Sequence, residues 1–180
     1  MALRRSALLL LLVLPVAPAS GRDYVVSATG DDTRSGSAAE PWRTLAKVNA
    51  TSLQPGDRVL LEGGRTFVGP LELGRDDRGT PARNIVVTSY GVGRGVIDGG
   101  NGRAVTVDGC DHVLLQRLKL VGAGRKTGNT TDGLYLAHST GSTVDQVEVT
   151  GFRHAGVEIV GTRDARITNV HAHQNGFAGI

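Results

Sequence analysis

Apolar positions between residues 104 and 180 fall in short alternating runs, broken by Gly, Asn, Asp and Thr. Gly133-Leu134-Tyr135-Leu136, Gly156-Val157-Glu158-Ile159 and Gly179-Ile180 begin 23 residues apart. A second apolar pair keeps the same offset: Val144 and Val147 in one unit, Ile167 and Val170 in the next. Taking Ala104-Val105-Thr106-Val107 as the preceding copy places Leu115 and Leu118 under Val144 and Val147, 29 residues earlier. The six extra residues fall between Gly122 and Asp132, where Arg125-Lys126-Thr127-Gly128-Asn129-Thr130 reads as a loop. Self-similarity at such a period marks a solenoid.

Within each unit the alternation has the period of two that belongs to strands, not the 3.6 of helices. Val105, Val107, Leu134, Leu136, Val157 and Ile159 are then inward, as is a second set built from Leu118, Leu120, Val147, Val149, Val170 and Ala172. Thr106, Tyr135 and Glu158 form one outward column; Lys119, Glu148 and His171 form another. One coil cannot bury its apolar side alone, whereas stacked coils can. The pattern is that of an all-β parallel β-helix.

The first coils are less regular, as terminal repeats are. Residues 23–27 alternate as a strand, and a polar loop follows. Pro41-Trp42-Arg43-Thr44-Leu45-Ala46-Lys47-Val48 has Pro in a first turn and Trp42, Leu45 and Ala46 near one face, which predicts a short helix capping the solenoid. Short strands are expected at 59–61, 71–73, 85–90 and 96–99. The expected division is 1–20, 21–58 for the N-terminal strand, loop and capping helix, and 59–180 for the coils. Gly179-Ile180 opens a further coil, so the chain reads as part of a longer protein.

Residues 1–20 read as a secretion signal, with Arg4 and Arg5 before an apolar run and Ala17-Pro18-Ala19 as the cleavage pattern. That run is too short for the roughly 20 residues a membrane span requires. Without Arg4 and Arg5 the formal charge falls from +3 to +1, so the basic balance implies neither a nucleic-acid nor a membrane partner. The expected setting is outside the cell, in the periplasm or at the cell surface, and the expected state is a monomer. A lone Cys110 after Asp108-Gly109 excludes an internal disulfide framework and reads as a small residue tucked into a turn. The 26 glycines suit a fold made largely of turns.

The segments GDDTRSGSAAEPWRTLAKVNATSLQPGDRVLLEGG and NIVVTSYGVGRGVIDGG, followed by the coils, resemble the N-terminal half of secreted right-handed parallel β-helix proteins of the pectate lyase superfamily. That start precedes lyases, glycanases and epimerases alike, so it implies a fold and an extracellular polysaccharide as partner, with β-elimination on an acidic glycan as the leading reaction. The resemblance also implies Ca²⁺ as a possible cofactor, to neutralise a sugar carboxylate, and a Lys or Arg of lowered pKa as base.

The residues offer one region for such chemistry. Asp132, Glu158 and Lys126 are the candidate catalytic groups, and Tyr135, His154 and Arg125 the candidates for holding substrate; no residue is assigned to a metal. Each has a plainer reading: Asp132 before Gly133 as a turn residue, Glu158 and Tyr135 as solvated strand positions, and Lys126 as a surface charge. His171 and His173 share an outward face, and Asp31-Asp32 and Asp76-Asp77 read as loop charges. Two other functions stay open. A non-catalytic carbohydrate-binding or adhesion solenoid would have its charges scattered. A glycoside hydrolase would need two carboxylates about 5 to 9.5 Å apart across a groove, for which Asp132 and Glu158 are the available pair.

Overall fold

The computed structural model describes residues 21–180, and the expected secretion signal at 1–20 lies outside the described residues. Fifteen strands and one helix follow in order: β1 (Asp23–Val26), α1 (Leu45–Asn49), β2 (Arg58–Glu62), β3 (Thr66–Val68), β4 (Leu71–Leu73), β5 (Ile85–Tyr90), β6 (Gly95–Gly100), β7 (Val105–Asp108), β8 (Val113–Gln116), β9 (Leu118–Gly122), β10 (Leu134–Ala137), β11 (Thr143–Asp145), β12 (Glu148–Thr150), β13 (Val157–Val160), β14 (Arg166–Thr168) and β15 (His171–His173). From β2 onward every third strand joins the same sheet, and β1 adds to the β2 edge. Sheet 1 runs β1-β2-β5-β8-β11-β14, sheet 2 runs β3-β6-β9-β12-β15 and sheet 3 runs β4-β7-β10-β13. All ladders between these strands are parallel, and with the right-handed crossover that is the rule for parallel strands the fold is a right-handed parallel β-helix.

The register is the one the repeat demands. Leu134 pairs with Val105 below and Val157 above, Val144 with Leu115 and Ile167, and Val149 with Leu120 and Ala172. The inward residues of three sheets thus stack into one dry core in which Val105, Leu118, Leu134 and Val149 are fully buried. Phe152 fills the corner between sheets 2 and 3 with no exposed surface. Burying such a ring contributes about 1.5–3 kcal/mol.

Corners are as repetitive as strands. Sheet 1 turns into sheet 2 through one residue in the left-handed region: Arg117 (φ 54°), Gln146 (φ 55°) and Asn169 (φ 51°) in successive coils. These are not glycines, so each conformation carries strain that neighbours must offset. Asp145 does so, accepting hydrogen bonds from Thr168 Oγ1 and Asn169 Nδ2, each at 2.8 Å, and from Gln116 Nε2 at 3.1 Å.

The N-terminal region differs in detail from the sequence expectation. The helix is shorter and begins after Thr44, whose Oγ1 accepts from Lys47 N at 3.2 Å. Pro41 lies outside it, and Trp42 instead forms a parallel bridge with Val26 and stacks on Tyr24 at 4.8 Å between centroids. Asp32 decides the boundary by accepting from Arg43 N, Thr44 N and Thr44 Oγ1, which fixes the chain before the first turn. Asp32 and Asp77 are therefore anchors and not free loop charges: buried Asp77 accepts from Leu53 N at 2.8 Å and Gly74 N at 2.9 Å. Among the described residues no helix is long and apolar enough to cross a membrane.

Candidate functional site

Sheet 3 presents its outward column to solvent along the stack: Glu72, Thr106, Tyr135 and Glu158 occupy matching positions on β4, β7, β10 and β13. The residue two places before each of the last three strands forms a parallel file, with Arg103 lowest, Asp132 above it and Ala155 next. Asp132 is held from above. Its Oδ1 accepts from Ala155 N at 3.0 Å, and its side chain is only 7% exposed.

Arg103 ties the two carboxylates together. Its Nη2 lies 3.7 Å from Asp132 Oδ2 and 3.7 Å from Glu158 Oε2, and its guanidinium covers the Tyr135 ring at 4.0 Å from the centroid. One face of Tyr135 is therefore taken by the cation. Such a contact is worth roughly 0.5–2 kcal/mol and fixes where the guanidinium points. Arg103 Nε is buried without a hydrogen-bond partner. His154 completes the group with Nδ1 4.0 Å from Asp132 Oδ1, and its backbone N–H donates to Thr131 O at 3.1 Å.

The Asp132 and Glu158 carboxylates meet at the same Arg103 guanidinium, and the neighbouring Asp132 raises the Glu158 pKa above its ordinary value. The hydrogen bond from protonated Glu158 to Asp132 is the main cause, with burial and the Asp132 charge adding to it, while Arg103 and His154 oppose. Asp132 is buried and accepts a backbone N–H, whereas Glu158 is 41% exposed and is the member of the pair that a substrate can reach.

Of the six sequence candidates, Asp132, Glu158, Tyr135 and His154 meet here; Arg125 and Lys126 do not. Those two lie with Arg153, Gly176 and Phe177 around a neighbouring cleft, because the inserted loop folds outward past the corner. Arg103 takes the cationic place that Lys126 was expected to fill. The loop is also better anchored than its composition suggests: buried Asn129 donates from Nδ2 to Gly100 O and Gly102 O, and its Oδ1 accepts from Thr131 N and Arg153 N. The amide is fully satisfied.

The calcium that the resemblance implies does not fit the residues of this site. A calcium ion asks for several oxygen ligands. Here Asp132 Oδ1 is engaged by Ala155 N–H, Oδ2 faces the Arg103 guanidinium, and among the described residues no group of three or more His, Cys, Asp or Glu is arranged to hold a metal ion. Elsewhere, Glu148 joins Lys119 at 2.8 Å, Arg94 at 3.2 Å and His173 at 3.4 Å on the outer face of sheet 2, and His138 Nδ1 lies 2.8 Å from Asp108 Oδ1 at the far end of sheet 3. Cys110 is buried as expected, and burial pushes its thiol pKa up to about 12, which leaves it without nucleophilic character.

No family model matches the chain. Over 71 residues, 38% of the chain, it is 42% identical to a lacto-N-biosidase of Bifidobacterium longum subsp. longum, and that match spans 4% of the relative. It superposes on the alginate lyase from Paenibacillus sp. str. FPU-7 with a TM-score of 0.65 at 23% identity, covering 86% of this chain and 46% of that one. For the GH136 lacto-N-biosidase from Eubacterium ramulus the TM-score is 0.64 at 18% identity, with 82% and 34% covered. For pectate lyase Pel9A it is 0.57 at 19%, with 88% and 50% covered. The chain thus spans half or less of each of these structures. Its fold, three parallel sheets wound into one solenoid, is the parallel β-helix of pectate lyase-like proteins.

Proposed function

We propose that the outer face of sheet 3 cleaves a glycosidic bond by acid–base chemistry, with Glu158 protonating the departing sugar oxygen. The observation that carries this is the meeting of the Asp132 and Glu158 carboxylates at one guanidinium, each 3.7 Å from Arg103 Nη2, on an exposed strand face where Asp132 raises the Glu158 pKa. A carboxyl group kept protonated above its ordinary range is what a general acid needs, and such catalysis is worth about 10²–10⁴-fold. Arg103 and Ala155 N–H keep the paired Asp132 in place while the proton leaves.

Hydrolysis is the first reading. The bond from the anomeric carbon to the glycosidic oxygen breaks, Glu158 supplies the proton to that oxygen, water attacks the carbon, and the proton of the water passes to a carboxylate of the pair. The stretch shared with a lacto-N-biosidase, a glycan-splitting hydrolase by name, supports it. β-Elimination is the second reading, supported by the fold shared with alginate and pectate lyases: a carboxylate of the pair takes the proton from the carbon next to the sugar carboxylate, the C=C bond forms as the bond to the glycosidic oxygen breaks, and Glu158 protonates that oxygen.

A panel of neutral oligosaccharides and uronic-acid polysaccharides separates these outcomes. New reducing ends without ultraviolet absorbance indicate hydrolysis, and new reducing ends with the absorbance of an unsaturated sugar indicate elimination. Cleavage that persists in Glu158→Gln would overturn the assignment of the acid. Retention of glycan without any cleavage would replace it with a binding role.

A further inference from the structure

The inserted loop and two successive corners build a second feature beside the acid–base pair. Arg125 and Lys126 from the loop, Arg153 from the corner above and Phe177 from the corner above that surround a cleft of about 380 Å³. No carboxylate lies within ion-pair distance of Arg125, Lys126 or Arg153 among the described residues. Like charges gathered at one cleft repel, and no salt bridge among the described residues offsets that repulsion.

The walls are nonetheless firmly made. Gly124 N donates to Gly151 O at 2.9 Å at the base of the loop, and Arg153 N donates to Asn129 Oδ1 at 3.1 Å. Gly176 N reaches Phe152 O at 2.9 Å and His154 O at 3.1 Å; a Cβ on Gly176 would fall 1.7 Å from Arg153 O, so this close approach requires glycine. Arg125 Nη1 donates to Asn175 O at 3.4 Å, which draws the loop arm toward the same corner. Phe177, 85% exposed, sets its ring edge-on to His154 at 5.7 Å, and His154 in turn borders Asp132. The cleft therefore opens one aromatic contact away from the acid–base pair.

We propose that this cleft is an anion subsite that receives a carboxylate or sulfate-ester substituent of the glycan cleaved at Asp132 and Glu158. The proposal rests on reading sheet 3 as the glycan-cleaving face. Guanidinium groups match such planar or tripodal anions through paired N–H donors, and the exposed Phe177 ring offers an apolar face to the sugar that carries the charge.

The test uses calorimetric titration of the full chain with three probes: a chitooligosaccharide as neutral glycan, an oligogalacturonate as carboxylate and a chondroitin sulfate oligosaccharide as sulfate ester. The variants are Arg153→Gln, Lys126→Gln and their combination with Arg125→Gln, all at exposed positions outside the acid–base pair. Each single variant should weaken an acidic probe about 5–20-fold, with a smaller loss at high salt, and leave the neutral probe unchanged. Binding of oligogalacturonate alone identifies the carboxylate, and binding of the sulfated probe alone identifies the sulfate ester. Unchanged affinity for both acidic probes in the triple variant, or no binding of either by the wild type, would overturn the subsite. Glu158→Gln keeps the two ideas apart: it should retain acidic-probe affinity while losing cleavage. Wild-type cleavage by Glu158→Gln alongside lost affinity in the triple variant would sink the cleavage reading and leave the subsite standing.

Discussion

Arg103 and Glu158 stand two coils apart in the stack, yet Nη2 of one lies 3.7 Å from Oε2 of the other, with the Tyr135 ring of the intervening coil beneath the guanidinium. A single side chain thus couples three coils at the place where the carboxylate pair sits. Lysine cannot reproduce this, because an ammonium is a point charge without the planar fork that meets Asp132 and Glu158 while covering a ring. Arg103→Lys should lower kcat about 10- to 100-fold with a small change in melting temperature, measured by steady-state kinetics and thermal unfolding. Equal kcat in the two proteins would mean that Arg103 only packs.

Asp132 and Glu158 should separate by their effect on stability. Glu158 is half exposed and hangs from a strand, so Glu158→Gln should cut kcat about 10²–10⁴-fold and leave the melting temperature within a degree or two. Asp132 is buried and holds Ala155 N–H and Arg103, so Asp132→Ala should lose comparable activity and also cost about 2–4 kcal/mol by denaturant unfolding. Similar stability losses in both variants would contradict this division of roles.

The Asp145 ladder makes an acid-stability signature away from the site. Hydrogen bonds from Asn169, Thr168 and Gln116 hold its pKa down to about 2, below the unfolded value of 3.8. A depressed carboxylate pKa contributes stability that is fully present above the unfolded value and is lost as pH falls through about 2. The gap in melting temperature between wild type and Asp145→Ala should be constant near neutrality and narrow between pH 4 and pH 2. A gap independent of pH would assign the ladder to shape alone.

Gly133 sits next to Asp132 where two coils touch. A Cβ there would lie 2.4 Å from Val149 Cγ1, 2.7 Å from Gly156 O and 2.8 Å from Phe152 Cδ2. Backbone and core give way poorly, so Gly133→Ala should destabilise by about 1–3 kcal/mol and displace Asp132 enough to lower activity, read by unfolding and kinetics on the same samples. Phe152→Ala, which empties the same corner from within, should cost about 3–5 kcal/mol.

The columns of sheet 3 were legible before any coordinates because two periods agree: alternation within a strand sends Tyr135 and Glu158 outward, and the 23-residue repeat stacks them. The same repeat places Arg103 directly below Asp132, 29 residues earlier, so an opposite-charge file was readable too. The ion-pair partners of Arg103, Asp132 and Glu158, arrive only when coils stack, so nothing beside Arg103 in sequence marks it. Lys126 is near Asp132 in sequence, but in the fold it lines the neighbouring cleft with Arg125, Arg153 and Phe177. The left-handed corners at Arg117, Gln146 and Asn169 carry no compositional mark, and the hydrogen bonds from Gln116, Thr168 and Asn169 to Asp145 that brace them form only when coils stack. Helix α1 began later than Pro41 because Asp32, distant in sequence, sets its start.

The proposed acid depends on Asp132 raising the Glu158 pKa, and the pH dependence of cleavage reports that directly. Glu158 must be protonated to act, so kcat/KM should fall as pH rises through its raised pKa, with a descending limb above the ordinary glutamate range. In Asp132→Asn the neighbouring charge is gone, and the limb should move to lower pH while residual cleavage persists. A limb that stays in place in Asp132→Asn would contradict the raising of the Glu158 pKa by Asp132 and the chemistry proposed for it.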